Sequence, residues 1–256
     1  MPALHLALHF VRRDIRNRYL GSFSGGAWAL LQPLVQLAVY GVVFVYVFKA
    51  RAPGADAPGY VPFLALALWP WVAFSESVSR AATAIQDNAA LIGKIALPRE
   101  VLVFAAVAAS FSIHAVGFCA ILIALKLFGA PLDVLMLPLA LCGFVQLFVL
   151  ALGVAFLLAA MQVFVRDLAP ALPQLLMLCM FASPIFYART QLPERYQGWL
   201  DVNPFTHYAE LFRALLLHSG QVTIGAQAVS LLIAVLVFAF GYGVFRRLAP
   251  HFEDFL

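Results

Sequence analysis

The sequence predicts an all-α, polytopic membrane protein with six transmembrane helices, an N-terminal amphipathic interface helix, and short re-entrant helices between spans five and six. Of the 256 residues, 64% are hydrophobic and only 11% are charged, against about 45–50% and about 25% in soluble domains. The mean hydropathy is +0.95. The apolar residues also fall in runs of the ~20 residues that a helix needs to cross a bilayer. We therefore expect a single transmembrane domain over residues 1–256.

Residues 1–20 are predicted to form an amphipathic helix at the cytoplasmic membrane interface. Leu4, Leu8 and Ile15 share one helical face with the other apolar residues of this segment, and the basic residues gather on the opposite face. A signal peptide would have its basic residues before the apolar stretch, whereas here they follow it. The basic residues assigned to the interface helix are Arg12, Arg13, Arg16 and Arg18.

Six apolar runs between residues 28 and 245 are long enough to cross a membrane and are bounded by charges, Pro or Gly. The second and fourth runs are longer than a crossing requires, which indicates tilt or extension beyond the bilayer. The six runs are Trp28 to Phe48, Tyr60 to Ile85, Val101 to Leu127, Leu132 to Val165, Leu168 to Tyr187, and Ile224 to Phe245.

The distribution of basic residues predicts that both termini are cytoplasmic. With this orientation, ten of the 16 Lys and Arg residues lie inside, as the positive-inside rule requires, and residues 246–256 form a cytoplasmic tail. The six that would lie outside are Lys49, Arg51, Lys126, Arg189, Arg195 and Arg213.

The segment Ala188 to Val222 contains three of those six residues and is unusual in composition. It is rich in Pro and aromatic residues, and its sequence predicts a helix from Ala209 to Leu217. The segment is too polar to span easily and too apolar for a simple loop. We therefore expect hairpin helices that dip back into the outer face of the membrane, surrounded by protein or water.

The sequence contains no recognisable catalytic, metal-binding or nucleotide-binding motif. A P-loop requires Gly, four residues, Gly, Lys and Ser or Thr. The nearest match, at Gly93–Ile95, has Asn88 in place of the first Gly and Ile95 in place of the hydroxyl. The motifs of zinc proteases and of serine hydrolases do not occur either. We predict no active site, no metal site and no cofactor of the chain's own.

Two ionisable residues in the second span are spaced to form an ion pair. Glu76 and Arg80 are four residues apart, with the acid N-terminal to the base, so that they can pair along one helical face. A structural pair is the favoured interpretation, and His114 in the third span is interpreted as a core histidine rather than a proton relay. A secondary transporter would carry several such groups or broken helices at mid-membrane.

Several motifs together resemble the membrane subunit of type-2 ABC exporters, the permeases that export O-antigen, teichoic acid or capsular polysaccharide. Each motif is weak alone, but their order and spacing cover nearly the whole chain. The motifs are Arg13–Ser22 followed by Trp28–Pro33, Asn88–Ile95 followed by Leu97–Glu100, Val165–Leu168, Ser183–Tyr187, and Asn203–Phe205.

This resemblance implies a homodimer that pairs with two copies of a separate cytoplasmic ATPase, in which ATP and Mg are bound. It also implies that Gln86 to Pro98 forms a coupling helix seated in a groove of that ATPase. Its residues combine polar groups with a compact apolar face, and the alternative is a plain surface loop. The residues assigned to coupling are Asp87, Asn88, Leu91, Ile92, Lys94 and Ile95.

The resemblance also implies that the segment between spans five and six forms short gate helices on the outer side. Asn203–Pro204 suits a turn there, because the residue before Pro is disfavoured in a helix and Asn tolerates turn geometry. The residues assigned to the outer gate are Asn203, Pro204, Phe205 and Tyr208. Arg166–Asp167 is expected to fix the cytoplasmic turn between spans four and five.

A channel for a sugar polymer needs surfaces on which the chain can slide, and aromatic faces supply them. The candidate channel aromatics are Tyr40, Tyr46, Trp69, Phe181 and Tyr187. The alternative is that these residues belong to the aromatic belts found in any membrane protein.

The function predicted from the sequence is ATP-driven export of a lipid-linked, O-antigen-like polysaccharide across the bacterial inner membrane. The predicted binding partners include the lipid-linked glycan and membrane lipids, and no nucleic acid. Two alternatives stay open. The same architecture would suit a drug, antibiotic or lipid as cargo. A membrane-embedded enzyme of lipid or glycan assembly would instead turn over without any ATPase.

Overall fold

The computed structural model describes residues 2–18, 27–50, 59–92, 98–218 and 224–255. Every regular element in these ranges is helical, which confirms the all-α fold. A π-helical turn over Val43–Val47 follows α2, and 3₁₀ turns occupy Val134–Met136, Arg189–Gln191 and Ala249–Asp254. The α-helices are α1 (Pro2–Arg18), α2 (Ala27–Val42), α3 (Tyr60–Asp87), α4 (Ala89–Ile92), α5 (Glu100–Leu127), α6 (Leu137–Phe164), α7 (Leu168–Ala182), α8 (Glu194–Val202), α9 (Pro204–Leu217) and α10 (Ile224–Leu248).

Among the described residues, 5 helices are long and apolar enough to cross a membrane. They are α2 with its π-helical turn, α3, α5, α6 and α10, and they confirm the polytopic architecture. The predicted fifth span is shorter than expected: α7 has 15 residues and ends at Ala182, so that it is about 22 Å long. It ends there because Ser183 is extended and precedes Pro184, which disfavours a helical residue before it.

The third helix is the centre of the bundle. Residues 62–71 of α3 are all buried, and the helix packs against α5, α6 and α9. Near its end, two glutamine side chains join α3 to α6. Gln86 Nε2 donates to Gln162 O at 3.0 Å, and Gln162 Nε2 donates to Gln86 Oε1 at 3.1 Å.

The helices α6 and α10 cross at a pair of glycines. A Cβ placed on Gly241 would lie 2.0 Å from Gly153 O, and a Cβ on Gly153 would lie 2.5 Å from Phe238 N. Both distances are far inside van der Waals contact, so that only glycine permits this approach. The crossing therefore depends on small residues, as in many helix pairs within membranes.

The N-terminal helix packs on the bundle with part of its polar face. Phe10 is buried against the bundle, and α1 packs along α5. Its last residue, Arg18, reaches Glu76, 11 residues before the end of α3, which corresponds to about 16 Å along the helix axis. The polar face of α1 therefore does not all point to water: Arg12 and Arg16 are exposed, whereas only 2% of the Arg18 side chain is exposed.

The predicted tail is folded. α10 continues to Leu248, and the following 3₁₀ turn inserts Phe252, which is fully buried. Arg99 donates to Ala249 O and to Glu253. The C-terminal segment therefore packs against the start of α5.

Candidate functional site

Five aromatic side chains meet at the end of the bundle where α3 begins. We call Tyr40, Phe44, Tyr60, Phe181 and Phe186 the Phe186 cluster. The ring of Phe186 stacks on Phe44 with a centroid distance of 5.0 Å and on Phe181 at 5.3 Å, and it meets Tyr40 edge-on at 5.1 Å. Tyr60 also stacks on Phe44, with a centroid distance of 5.7 Å. The cluster thus joins α2, its π-helical turn, α3 and the segment that follows α7.

Phe186 is held in place by the tight turn that ends α7. In this turn, residues 183–186, Ile185 N donates to Ser183 O at 2.7 Å. Tyr60 donates its hydroxyl to Phe186 O at 2.8 Å, and Asn203 Nδ2 donates to Ser183 Oγ at 2.8 Å. We call residues 183–186 the α7 turn. Because α3 and α9 both bind it, the turn fixes Phe186 at the centre of the cluster.

The cluster has a buried centre and an exposed edge. Phe186 is 6% exposed, whereas Phe181 is 53% exposed. Tyr187 lies beside that edge and donates its hydroxyl to Phe181 O at 3.2 Å. The exposed rings give this part of the protein an apolar surface with hydroxyl groups beside it.

Two candidate channel aromatics lie outside this cluster. Tyr46, in the π-helical turn, is 76% exposed. Trp69 is buried between α3 and α5, where its indole Nε1 donates to His114 O at 3.1 Å. Of the five predicted aromatics, the structure thus brings Tyr40 and Phe181 together and places Tyr187 beside them.

The residues predicted to form an outer gate begin α9. Asn203 caps the helix, because its Oδ1 accepts from Phe205 N at 3.0 Å, and Pro204 occupies the first turn, where its missing N–H is not needed. Phe205 is buried edge-on against Trp71 at 4.9 Å. Tyr208 is 1% exposed. The start of α9 is therefore packed into the bundle.

An exposed ion pair closes the segment before α9. Arg189 donates through both terminal nitrogens to Asp201, at 2.5 and 2.7 Å. The hydrogen bonds from Arg189 lower the pKa of the Asp201 carboxyl, and the same contact raises the pKa of the Arg189 guanidinium. The pair joins the 3₁₀ turn before α8 to the last turn of that helix. No local sequence pattern indicates this pair, because the two residues are 12 positions apart in the chain.

A second group of polar residues surrounds Glu76 in the middle of α3. Arg18 Nη1 donates to Glu76 Oε1 at 2.9 Å, and Arg80 Nε donates to the same oxygen at 3.1 Å. His114 Nε2 lies 2.8 Å from Glu76 Oε2, and Arg18 also contacts Asp14 at 3.4 Å. These five residues form what we call the Glu76 cluster. It ties α1, α3 and α5 together.

The Glu76 cluster contains the Glu76–Arg80 contact that the spacing predicts, but the deeper partners are Arg18 and His114. The side chains of Arg18 and His114 are 2% and 1% exposed, whereas that of Arg80 is 44% exposed. Arg18 also donates to Ser110. Buried charges are stable in a bilayer only when paired. We interpret the cluster as the anchor of α1.

A polar cavity of about 280 Å³ opens beside this anchor, between α1, α3 and α5. Arg13 lies on its wall and donates to Asn88 Oδ1 at 2.7 Å. Thr83 donates to Asp87 Oδ2 at 2.8 Å on the same wall. The cavity thus ends at the first residues assigned to coupling.

The coupling residues divide into exposed and buried groups. Asp87 is exposed and Asn88 half-buried, whereas Ile92 is 7% exposed and packs in the chain's own core together with part of Leu91. The apolar face predicted for partner contact is therefore partly covered by this chain. Lys94 and Ile95 lie outside the described residues. Ala90, between the two groups, is exposed.

The turn at Arg166–Asp167 lies next to the folded C-terminus. Gln162 Nε2 donates to Arg166 O at 3.2 Å, and Arg166 Nη2 donates to Phe255 O at 3.4 Å. The start of α5 and the turn that follows α6 are therefore both bound to the last residues of the chain.

Comparison with known proteins finds similarity to transporter membrane subunits over most of the chain. The family model described as ABC-2 type transporter matches residues 6–217. An O-antigen export system permease protein RfbA of Myxococcus xanthus is 29% identical over 236 residues, covering 89% of this chain and 88% of that protein. A protein of the same name from Klebsiella pneumoniae is 25% identical over 256 residues, covering 98% and 95%. The polysialic acid transport protein KpsM of Escherichia coli is 24% identical over 237 residues, covering 91% and 90%.

Proposed function

The chain belongs to the ABC-2 type transporter family, and we propose that it is the channel-forming membrane subunit of an exporter for a lipid-linked, O-antigen-like polysaccharide. The observation that carries the proposal is the similarity to export permeases along almost the whole chain. Two of the relatives named above are O-antigen export permeases, and a third is a polysialic acid transport protein. We extend the polysaccharide class to this chain as its cargo.

The Phe186 cluster is our candidate for the path of the sugar chain. Its exposed edge, at Phe181 and Tyr187, offers aromatic faces without fixed charge, so that a glycan can bind and slide. The cluster connects α2 to α7, because Tyr40 and Phe181 both pack on the ring of Phe186. Both helices expose apolar side chains along their length, including Val35, Val39 and Leu178.

We propose that two copies of the chain face each other across α2 and α7, with their aromatic edges lining one path. α7 is too short to cross the hydrocarbon of ~30 Å unaided, and a second copy would surround it with protein. The short helices α8 and α9 would then lie at the outer end of the path and act as its gate. Both termini would lie in the cytoplasm, as the basic residues indicate.

The energy for export would come from a separate cytoplasmic ATPase, which would bind ATP and Mg. Asp87, the last residue of α3, and Ala90, in α4, are both exposed within the segment that the family resemblance assigns to coupling. We propose that this surface docks on the ATPase. ATP binding would then favour one state of the dimer, because the partner contacts the two states differently.

Co-purification with the ATPase encoded beside this chain tests the docking surface. We expect wild type to form a stable complex in mild detergent and Asp87→Lys with Ala90→Trp to lose it. Leu91 and Ile92 are avoided because they pack in the core. The matched control, Glu194→Lys with Gly198→Trp, changes charge and size in the same way on exposed positions of α8 and should keep the complex. Equal binding by both double variants would contradict the proposed surface.

Export in a strain that lacks this gene tests the cargo. The wild-type gene should restore the surface glycan. The strain without the gene should accumulate lipid-linked polymer in the cytoplasm. Tyr40→Ala with Phe181→Ala should reduce export at unchanged membrane level, whereas Phe240→Ala, an exposed ring on α10, should not. Normal surface glycan without the gene would refute the polysaccharide cargo and favour a drug, antibiotic or lipid. Turnover of a lipid or glycan by the purified chain alone would favour an enzyme.

A further inference from the structure

Arg213, in the last part of α9, is almost completely buried, with 3% of its surface exposed. All three nitrogens of its guanidinium donate hydrogen bonds. Nε donates to Phe63 O at 3.0 Å, Nη1 to Pro184 O at 2.6 Å, and Nη2 to Ile185 O at 2.7 Å. The carbon at the centre of the guanidinium lies 3.4 Å from the centroid of the Phe63 ring. One side chain therefore joins α9, α3 and the α7 turn.

The α7 turn depends on these bonds. Its three consecutive carbonyls, at Pro184, Ile185 and Phe186, accept from Arg213 twice and from the hydroxyl of Tyr60 once. Carbonyls buried without a donor are unfavourable, and bonds from a charged donor are about twice as strong as neutral ones. Moving the turn away from α9 would break the two Arg213 bonds together.

The geometry requires arginine in particular. The planar guanidinium presents its donors in a fixed fork, and here the three acceptors lie around that fork while one face covers an aromatic ring. A lysine ammonium is a compact charge on a flexible stem and does not present its donors in a fork that matches three separated carbonyls. The orientation predicted from the sequence places Arg213 on the outer side of the membrane. The structure buries its side chain inside the bundle.

We infer that Arg213 is a positioning residue that holds the α7 turn, and with it Phe186, closed across the end of the path in the resting exporter. This inference rests on the proposed function. Phe186 lies at the centre of the aromatic cluster, and its backbone belongs to the turn that Arg213 binds. Opening this end of the path would require the turn either to leave Arg213 or to move together with α9.

Leakage of a small charged dye from proteoliposomes tests the inference without glycan, nucleotide or ATPase. We expect Arg213→Lys and Arg213→Met to raise resting leakage on the order of tenfold, since each loses charge-assisted bonds to the turn. Tyr60→Phe keeps the arginine and removes one bond from the same turn, so that its leakage should rise less. The matched control is Arg195→Met, because Arg195 lies on exposed α8 with its guanidinium 4.5 Å from the Tyr196 ring, and its leakage should equal that of wild type.

A role in folding alone would lower membrane level and melting temperature without opening a path. The inference is therefore overturned if Arg213→Lys and Tyr60→Phe both leak as wild type does, or if Arg195→Met leaks as much as they do. If Arg213→Met fails to fold, the other two variants decide. Failure of the proposed function would be seen separately, as absence of glycan export by wild type with its ATPase.

Discussion

Replacing Gly241 with alanine is expected to force α6 and α10 apart. The new Cβ would lie 2.0 Å from Gly153 O, whereas ordinary contact begins at 3.4 Å, so that the helices must separate by more than an ångström. Overpacking of this kind costs about 1–3 kcal/mol. Alanine is also favoured over glycine in a helix by about 1 kcal/mol, which partly hides this cost.

Gly243→Ala removes that ambiguity. Gly243 lies two residues further along the same helix, and a Cβ there meets nothing within 4 Å. Both variants gain the same helix propensity, so the difference between them measures the overpacking alone. At about 2–4 °C per kcal/mol for a chain of similar size, Gly241→Ala should melt about 2–12 °C below Gly243→Ala.

The measurement is thermal unfolding of the purified protein in one detergent, followed by tryptophan fluorescence. Gly243→Ala should melt at or slightly above wild type. Equal melting temperatures for the two variants would show that the crossing has room for a methyl group, and the reasoning from the glycine pair would be refuted.

Three further comparisons test contacts described above. Glu76→Ala leaves buried arginine and histidine partners without their acceptor and should lower the free energy of unfolding by about 3–5 kcal/mol, whereas Arg80→Ala, at the exposed side of the same cluster, should lower it by about 1 kcal/mol or less; thermal unfolding measures both. The lowered pKa of Asp201 in the folded protein means that its pair with Arg189 stabilises the fold above the ordinary value of 3.8 and is lost as the pH falls through the lowered value. The protection of the α8 amides against hydrogen exchange, corrected for the intrinsic pH dependence of exchange, should therefore fall at low pH in wild type and already be low at neutral pH in Asp201→Asn. Phe252→Ala should destabilise the fold by about 3–5 kcal/mol, because the ring is fully buried, whereas Phe255→Ala, at 50% exposed, should have a much smaller effect in the same unfolding assay.

The helices are the part of this fold that the sequence predicts well. Long apolar runs end at charges, Pro or Gly, and these local signals place the ends of α3, α5 and α10 within a few residues of the structure. The fifth run was predicted too long, because its apolar residues continue through Ser183–Tyr187 although the chain turns at Pro184. A hydrophobicity pattern reports what is apolar and does not distinguish helix from a buried turn.

The sites were predictable only in part, because they depend on contacts between distant residues. The spacing of Glu76 and Arg80 is local and predicts their contact, but nothing local indicates that Arg18 enters the same cluster from another helix. Ile92 was assigned to a partner surface because its segment is apolar, and it is buried within the chain itself. An apolar side chain near a surface fits both environments, so that composition alone does not decide between them.

The position of Arg213 also has a consequence for how the chain is made. All three of its acceptors, at Phe63, Pro184 and Ile185, precede it in the sequence, the nearest by 28 residues. Synthesis proceeds from the N-terminus at about 5–20 residues per second, so the receiving carbonyls have been synthesised before α9 emerges. The guanidinium can therefore exchange water directly for its final partners during insertion, before α10 has been added.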